Sequence, residues 1–508
     1  MATAAPHDVM HPSPGGESAP RRLSTTRHHL LWSRRRSFRT SGLRVGALTT
    51  ADHAPRLDTR HSERAGTPFE RVAHRLARSL GTWLLASGLL FGAAARADVV
   101  TDWTAVMEET TLRVPDPALP IRAAAIMQLA VFEAVNAIVG DYEPYLGSIR
   151  APAGASPEAA AVAAAHRVLV GLLPEQTDSL DAKRAASLAA VPDGAAKTAG
   201  ITVGEAAAVA MLAQRANDGM DADVPYTPGT LPGQYRPTPP DFTPAFRPGL
   251  GQVTPFAIDS VARFRVPPPP ALRSERYTRD HNEVKRVGDV ASSERPKDRA
   301  DVARFYEPDD IVPIYFSAAR QVSLAQGKTL AENARIFALL SMAIFDAMVA
   351  CFDSKYFYDY WRPVTAIRLG ATDGNRKTDA DTNWAPFVFT PPFPSYPSGH
   401  ASFGGAARRV LERMFGADGH VITLTSPLVP DIVLHYTNWK QITDDIDDAR
   451  IYGGVHYRFD QEEAASQGRK VGRYVLWHWL RPVHRYGDET IAAHEQLQDH
   501  EEDSRDAD

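Results

Sequence analysis

The stretch from Thr329 to Ala350 limits the fold more than any other part of the chain. Thr329 and Glu332 have the spacing of a capping box, in which each side chain bonds the other's backbone N–H. Ile336, Leu339, Leu340, Ala343 and Ala347 then recur at helical spacing, so the segment predicts a helix with a stripe that must be buried. The same pattern appears in Met127, Val131, Val135 and Ile138 after Pro120. It returns in the Ala-rich run opened by Ser156, Pro157 and Glu158, and again over Gly204 to Asn217. Strand-like alternation is scarce, and the expected class is all-α. Thirteen of the 39 prolines fall between Pro225 and Pro270, so that stretch cannot be regular helix and should wrap over the surface or link two helical halves. The expected organisation is a helical half over 98–222, a Pro-rich connection over 223–275 and a second helical half over 276–487.

Charge is distributed unevenly. Residues 1–97 hold 15 Arg, no Lys and 6 acids, a net of +9, which leaves −14 of the overall −5 on the remainder. An acidic body argues against nucleic acid and anionic lipid surfaces as partners. The single cysteine, Cys351, excludes an intramolecular disulfide framework and Cys-rich metal sites. Arg71, Arg75 and Arg78, an apolar run from Leu80 to Phe91, and Ala95-Arg96-Ala97 form a signal-peptide pattern over 72–97. Cleavage near Ala97 and export to a periplasmic or extracellular space are expected. Residues 1–71 read as a disordered or mis-annotated extension, and 488–508, with nine acids and one Arg, as a solvated tail. No later segment reaches eighteen uninterrupted apolar residues, so no stable membrane span is expected in the mature chain.

Three clusters carry chemistry. Lys355 and Arg362 lie seven residues apart, two helical turns, although Pro363 pushes Arg362 out of helical conformation. Taken alone, the pair could be solvated charges at a helix C-terminus. In Pro391-Pro-Phe-Pro-Ser-Tyr-Pro-Ser-Gly-His400, prolines stop the chain and a helix begins near Ser398. Its free N–H groups, the Ser398 hydroxyl and the open approach at Gly399 suit an anion, with His400 alongside; a plain N-cap is the alternative. In the third cluster Arg450 precedes His456 and Asp460, which read as i and i+4 on one helix, so the carboxylate can fix one ring nitrogen and leave the other as nucleophile or ligand. A structural hydrogen bond is the bland reading of that pair. Together the clusters supply cations, neutral donors and two histidines for a tetrahedral oxyanion.

Lys-x6-Arg-Pro, Pro-Ser-Gly-His and Arg-x5-His-x3-Asp resemble the signature of the vanadium haloperoxidase and type 2 phosphatidic acid phosphatase superfamily. Glu332 to Arg335, Trp361 to Ile367 and Thr390 to His400 are most similar to its soluble chloroperoxidases and their bacterial relatives. The resemblance implies two packed four-helix bundles with long Pro-rich loops. It also implies vanadate bound axially by His456, with Lys355, Arg362, Ser398, Gly399 and Arg450 on its oxygens and His400 handling protons. The implied reaction oxidises a halide with hydrogen peroxide and halogenates a small organic acceptor. Ala449 departs from the family's usual Ser before Arg450, and Phe393 stands where bromoperoxidases tend to carry a second His. Two alternatives stay open. One is an exported acid phosphatase without vanadate, in which His456 attacks a phosphomonoester, Asp460 orients it and His400 protonates the leaving group. The other is a non-catalytic oxyanion-binding protein. A homodimer is compatible with the sequence.

Overall fold

The computed structural model describes residues 98–483 apart from 113, 309 and 310; the expected extension, signal peptide and acidic tail lie outside these residues. Asp98 caps α1 (Val99–Thr111) by accepting from the N–H groups of Val100 and Thr101. α2 (Ala118–Val139), α3 (Pro157–Leu172), α4 (Thr177–Ala189) and α5 (Ala195–Gln214) complete the first group of helices. Ser156 accepts from the Ala159 N–H at the start of α3, where Pro157 takes the first helical position. Small residues let α3 and α5 meet backbone to backbone: a Cβ on Gly204 would lie 2.2 Å from the Ala160 carbonyl oxygen. The second group comprises α6 (Glu275–Val287), α7 (Lys297–Phe305), α8 (Ile311–Gln326), α9 (Leu330–Tyr358), α10 (Pro363–Arg368), α11 (Gly399–Phe415), α12 (Trp439–Tyr452) and α13 (Arg458–His478).

α9 is the axis of the protein. Its capping box is formed as the sequence predicts, and Ala334 to Phe352 are buried almost without a break in a core shared with α2, α8, α11 and α13. By length and composition α2, α5 and α9 could each cross a membrane, contrary to the expectation from uninterrupted apolar runs. In α2 and α9 that apolar character is taken up by the core, with 83% and 94% of the apolar window buried. The closest crossing in the second group is α11 on α13, where a Cβ on Gly468 would lie 1.9 Å from the Ser402 carbonyl oxygen.

Between α5 and α6 the Pro-rich chain holds only two short 3-10 turns, Leu250–Gln252 and Val261–Phe264. Asp346 of α9 fastens this strap by accepting the N–H groups of Phe256, Ala257 and Ile258 at 2.7, 2.7 and 2.8 Å. A buried carboxylate in mid-helix could bond a neighbouring helix, but Asp346 meets the strap's unpaired amides instead. The hydroxyls of Tyr356, Tyr358 and Tyr396 donate to the strap carbonyls of Phe246, Val266 and Pro267.

Two local features depart from expectation. The hairpin β1 (Asp418–Thr425) and β2 (Val433–Asn438) pairs Ile422 with Tyr436, and turns His420, Ile422 and Leu424 inward. Carboxylates favour a helix N-terminus or solvent, but Asp445 and Asp448 lie in the middle of α12 and bind Arg299 at 2.8 and 3.2 Å; Asp448 also binds Arg458 at 3.0 Å. They tie α12 to α7 and α13.

Candidate active site

Three loop-to-helix junctions converge beside α9. Lys355 lies in the last turn of α9, which ends at Tyr358 with Asp359 left-handed at φ 50°. Arg362 is extended, with φ −77° and ψ 154°, because Pro363 follows and opens α10. Both cations are fully buried, at 0% exposure, so they are not solvated charges at a helix end. The Pro-rich lead-in to α11 has carbonyls without a ladder to enter, and the cations collect them. Lys355 Nζ donates to Pro394 O at 2.9 Å, Ser395 O at 2.8 Å and Pro397 O at 2.5 Å; Arg362 Nε donates to Phe393 O at 2.8 Å. The Phe393 ring lies 5.0 Å from Lys355 Nζ and 4.8 Å from Arg362 Cζ.

Ser398 is the N-cap of α11, accepting from the Ala401 N–H, and Gly399 and His400 form the first turn. The N-cap reading is therefore correct for its hydroxyl. Ser398 N–H donates to the Asp460 carbonyl at 3.0 Å, which locks the second motif to the third. Arg450 closes α12, with Nη1 donating to Tyr306 O at 3.0 Å. His456 is not on a helix with Asp460: it sits in the turn before α13, and Asp460 lies in the first turn of that helix. The pair still forms, because a carboxylate in a first turn can reach back over the helix entry. His456 Nδ1 and Asp460 Oδ2 are 2.7 Å apart, and Arg362 Nη1 stands 3.1 Å from His456 Nε2.

Ser395 is the residue that sequence reasoning passed over. Its hydroxyl donates to Asp460 Oδ2 at 2.5 Å and lies 3.3 Å from His456 Nδ1. A serine inside a proline run gives no spacing signal. With the Tyr457 N–H at 3.3 Å, Asp460 Oδ2 is offered three donors, an arrangement that suits a carboxylate and an Nδ1–H tautomer of His456. The ring's Nε2 then keeps its lone pair. Gly399, His400, Arg450 and His456 form the polar floor of a cleft walled mainly by Phe246, Leu250, Met348, Phe352, Phe393 and Phe403.

Residues 335–485 match the family described as the VCPO second helical-bundle domain. The vanadium chloroperoxidase of Curvularia inaequalis is 29% identical across 26% of this chain and 29% of its own length, so the match spans under a third of that relative. These likenesses support a place for the chain in the vanadium haloperoxidase superfamily. A solved bacterial vanadium-dependent iodoperoxidase shares the fold at a TM-score of 0.64, with 24% identity, 75% of this chain and 97% of that one covered. A bacterial vanadium-dependent chloroperoxidase does so at a TM-score of 0.59, with 20% identity, 72% and 93% covered.

The superfamily's oxyanion chemistry can be tested against the donors present. Among the described residues no group of three or more His, Cys, Asp or Glu could hold a bare metal cation. The cluster instead presents buried positive charge. Burial pushes the Lys355 ammonium down to about 7 and the Asp460 carboxyl up to about 7, and their attraction opposes both shifts. Burial first, then Arg450, Lys355 and Arg362, hold His400 well below the ordinary histidine value; burial, Arg362, Lys355 and Arg450 do the same to His456. Two neutral imidazoles in a cationic field fit a tetrahedral oxyanion such as vanadate or phosphate.

A pH experiment follows from the depressed His400. The unfolded chain takes up this proton near pH 6.5 while the folded site refuses it, so the residue's contribution to stability falls as pH drops below that value. His400→Gln should therefore lose less stability than the wild type on acidification, by up to about 1.4 kcal/mol per pH unit below about pH 6.5. Urea unfolding of both proteins at a series of pH values measures the difference.

Proposed function

We propose that the protein is a vanadium-dependent haloperoxidase that oxidises a halide with hydrogen peroxide and halogenates an uncharged organic acceptor. The observation that carries this reading is the convergence of buried Lys355, Arg362 and Arg450 on two buried neutral histidines, with Arg450, His400 and His456 lining an apolar cleft. When bound, vanadate supplies a Lewis-acid centre that activates peroxide toward halide without a change of oxidation state.

The chain's residues divide the remaining work. His456 would hold vanadate through Nε2, and Asp460 with Ser395 keeps the ring proton on Nδ1 so that the Nε2 lone pair points to that role. Arg362 and Arg450, with the Gly399 turn, would hold the oxygens of the bound oxyanion. Lys355 gives its three donors to carbonyls, so it shapes the Ser395–Pro397 loop and adds positive field. His400, neutral at the start of α11, can take a proton from peroxide and return it to the leaving oxygen. The hydrocarbon walls keep water scarce and suit an acceptor without charge.

A second reading rests on the same pair. His456 with its Nδ1 fixed by Asp460 is also arranged to attack phosphorus, which makes a histidine-phosphatase the alternative. One paired assay decides between them. The purified full chain is tested for peroxide-dependent bromination with and without added vanadate, and for phosphate release from an aryl phosphate without it. Vanadate-dependent bromination is the expected result; activity in the phosphate assay alone would overturn the first reading.

A further inference from the structure

Met348 stands apart in the wall of the cleft. The walls around it are otherwise proline, alanine, isoleucine, leucine and phenylalanine, which offer an electrophilic oxidant no lone pair. A thioether is soft and nucleophilic. Met348 precedes Lys355 by seven residues on α9, two turns, and therefore shares that helix face with the site. It is 1% exposed, so bulk reagents meet it only by way of the cleft. The neighbouring thiol does not compete: Cys351 is absent from the lining, its Sγ points to Pro397 O at 3.7 Å, and burial pushes it up to about 11. Met414 makes the natural comparison. It is partly exposed and lies in the last turn of α11, fourteen residues and about 21 Å along the helix axis from His400.

We propose that Met348 is the first residue modified by the enzyme's own product, hypohalous acid formed on the floor of the cleft and intercepted before it escapes. The inference rests on the haloperoxidase reading. The sulfur lone pair attacks the halogen of hypohalous acid, the oxygen–halogen bond breaks, and hydroxide leaves. Water then adds its oxygen to the halosulfonium sulfur, halide departs, and two protons are lost, one of them neutralising the hydroxide. In sum a thioether and hypohalous acid give a sulfoxide, a halide ion and one proton; sulfur is oxidised by two electrons and the halogen is reduced by two. The new S=O group is polar and projects into an apolar wall on the face of α9 that carries Lys355. Entry of an apolar acceptor is impaired, and activity decays with turnovers completed rather than with time. Reduction of the sulfoxide by a methionine sulfoxide reductase would reverse the change.

The test is site-resolved mass spectrometry on the full chain loaded with vanadate. Bromide and limiting hydrogen peroxide are supplied without an acceptor, the reaction is quenched, and methionine peptides are scored for one added oxygen. Met348 should be oxidised several-fold ahead of Met414. The same dose of reagent hypobromite, added from solution without peroxide or vanadate, should reverse that order. Met348→Leu should complete several-fold more turnovers before its rate halves, measured against its own initial rate. Halide turnover that oxidises Met414 as early as Met348 overturns the inference alone, and so does a Met348→Leu enzyme that fades after as many turnovers as the wild type. An enzyme that oxidises no halide overturns the haloperoxidase reading, and this inference with it.

Discussion

His456→Ala is expected to lower halide oxidation, or aryl phosphate hydrolysis in the alternative, by about a thousandfold or more, because it deletes the one side chain that both chemistries need as a direct partner. The fold should survive. His456 lies in the turn before α13, and its removal leaves Asp460 with the Ser395 hydroxyl and the Tyr457 N–H as donors. A circular dichroism spectrum like the wild type's, together with loss of vanadate binding by calorimetry, separates loss of the centre from loss of the protein. Added imidazole should restore part of the activity by occupying the vacated space beside Arg362 Nη1, which stands 3.1 Å from the native ring. Full turnover without the ring would mean that the reacting centre lies elsewhere.

What the sequence discloses and what it hides divide along the distance between partners. Lys355, Arg362, Ser398, Gly399, His400, Arg450, His456 and Asp460 are legible because their types and spacings carry the chemistry, and the fold brings them together around the foot of α9. The long helices are legible from caps and from apolar periodicity. Other features have no local signature. Arg299 meets Asp445 146 residues away in the chain, and Arg458 meets Glu283 175 residues away, so no window of sequence can pair them. The hairpin at Asp418–Asn438 is short, and one strand shows the alternation that the other lacks. The i, i+4 spacing of His456 and Asp460 foretells their contact but not the backbone between them, since a helix and a helix entry both bring such residues within 2.7 Å. Ser395 was hidden by its surroundings, because proline-rich chain is ordinarily read as connection.

That serine bears on the second large effect, the removal of Asp460. Asp460→Ala should cost about 3–5 kcal/mol of stability, the range for deleting one partner of a buried charged pair. The reason is electrostatic. Lys355 is fully buried, its three donors go to neutral carbonyls, and the nearby carboxylate offsets its charge. The deletion also strips the Ser395 hydroxyl, the His456 Nδ1–H and the Tyr457 N–H of their shared acceptor. Activity should fall at least about a hundredfold, because an imidazole no longer held in one tautomer presents its Nε2 lone pair only part of the time. Denaturant unfolding and initial rates on the same preparations separate the two effects. Ser395→Ala provides the calibration: it removes one of three donors and leaves the carboxylate in place, so both losses should be well below those of Asp460→Ala. Equal losses in the two variants would mean that the hydroxyl, rather than the buried charge, holds His456 in register.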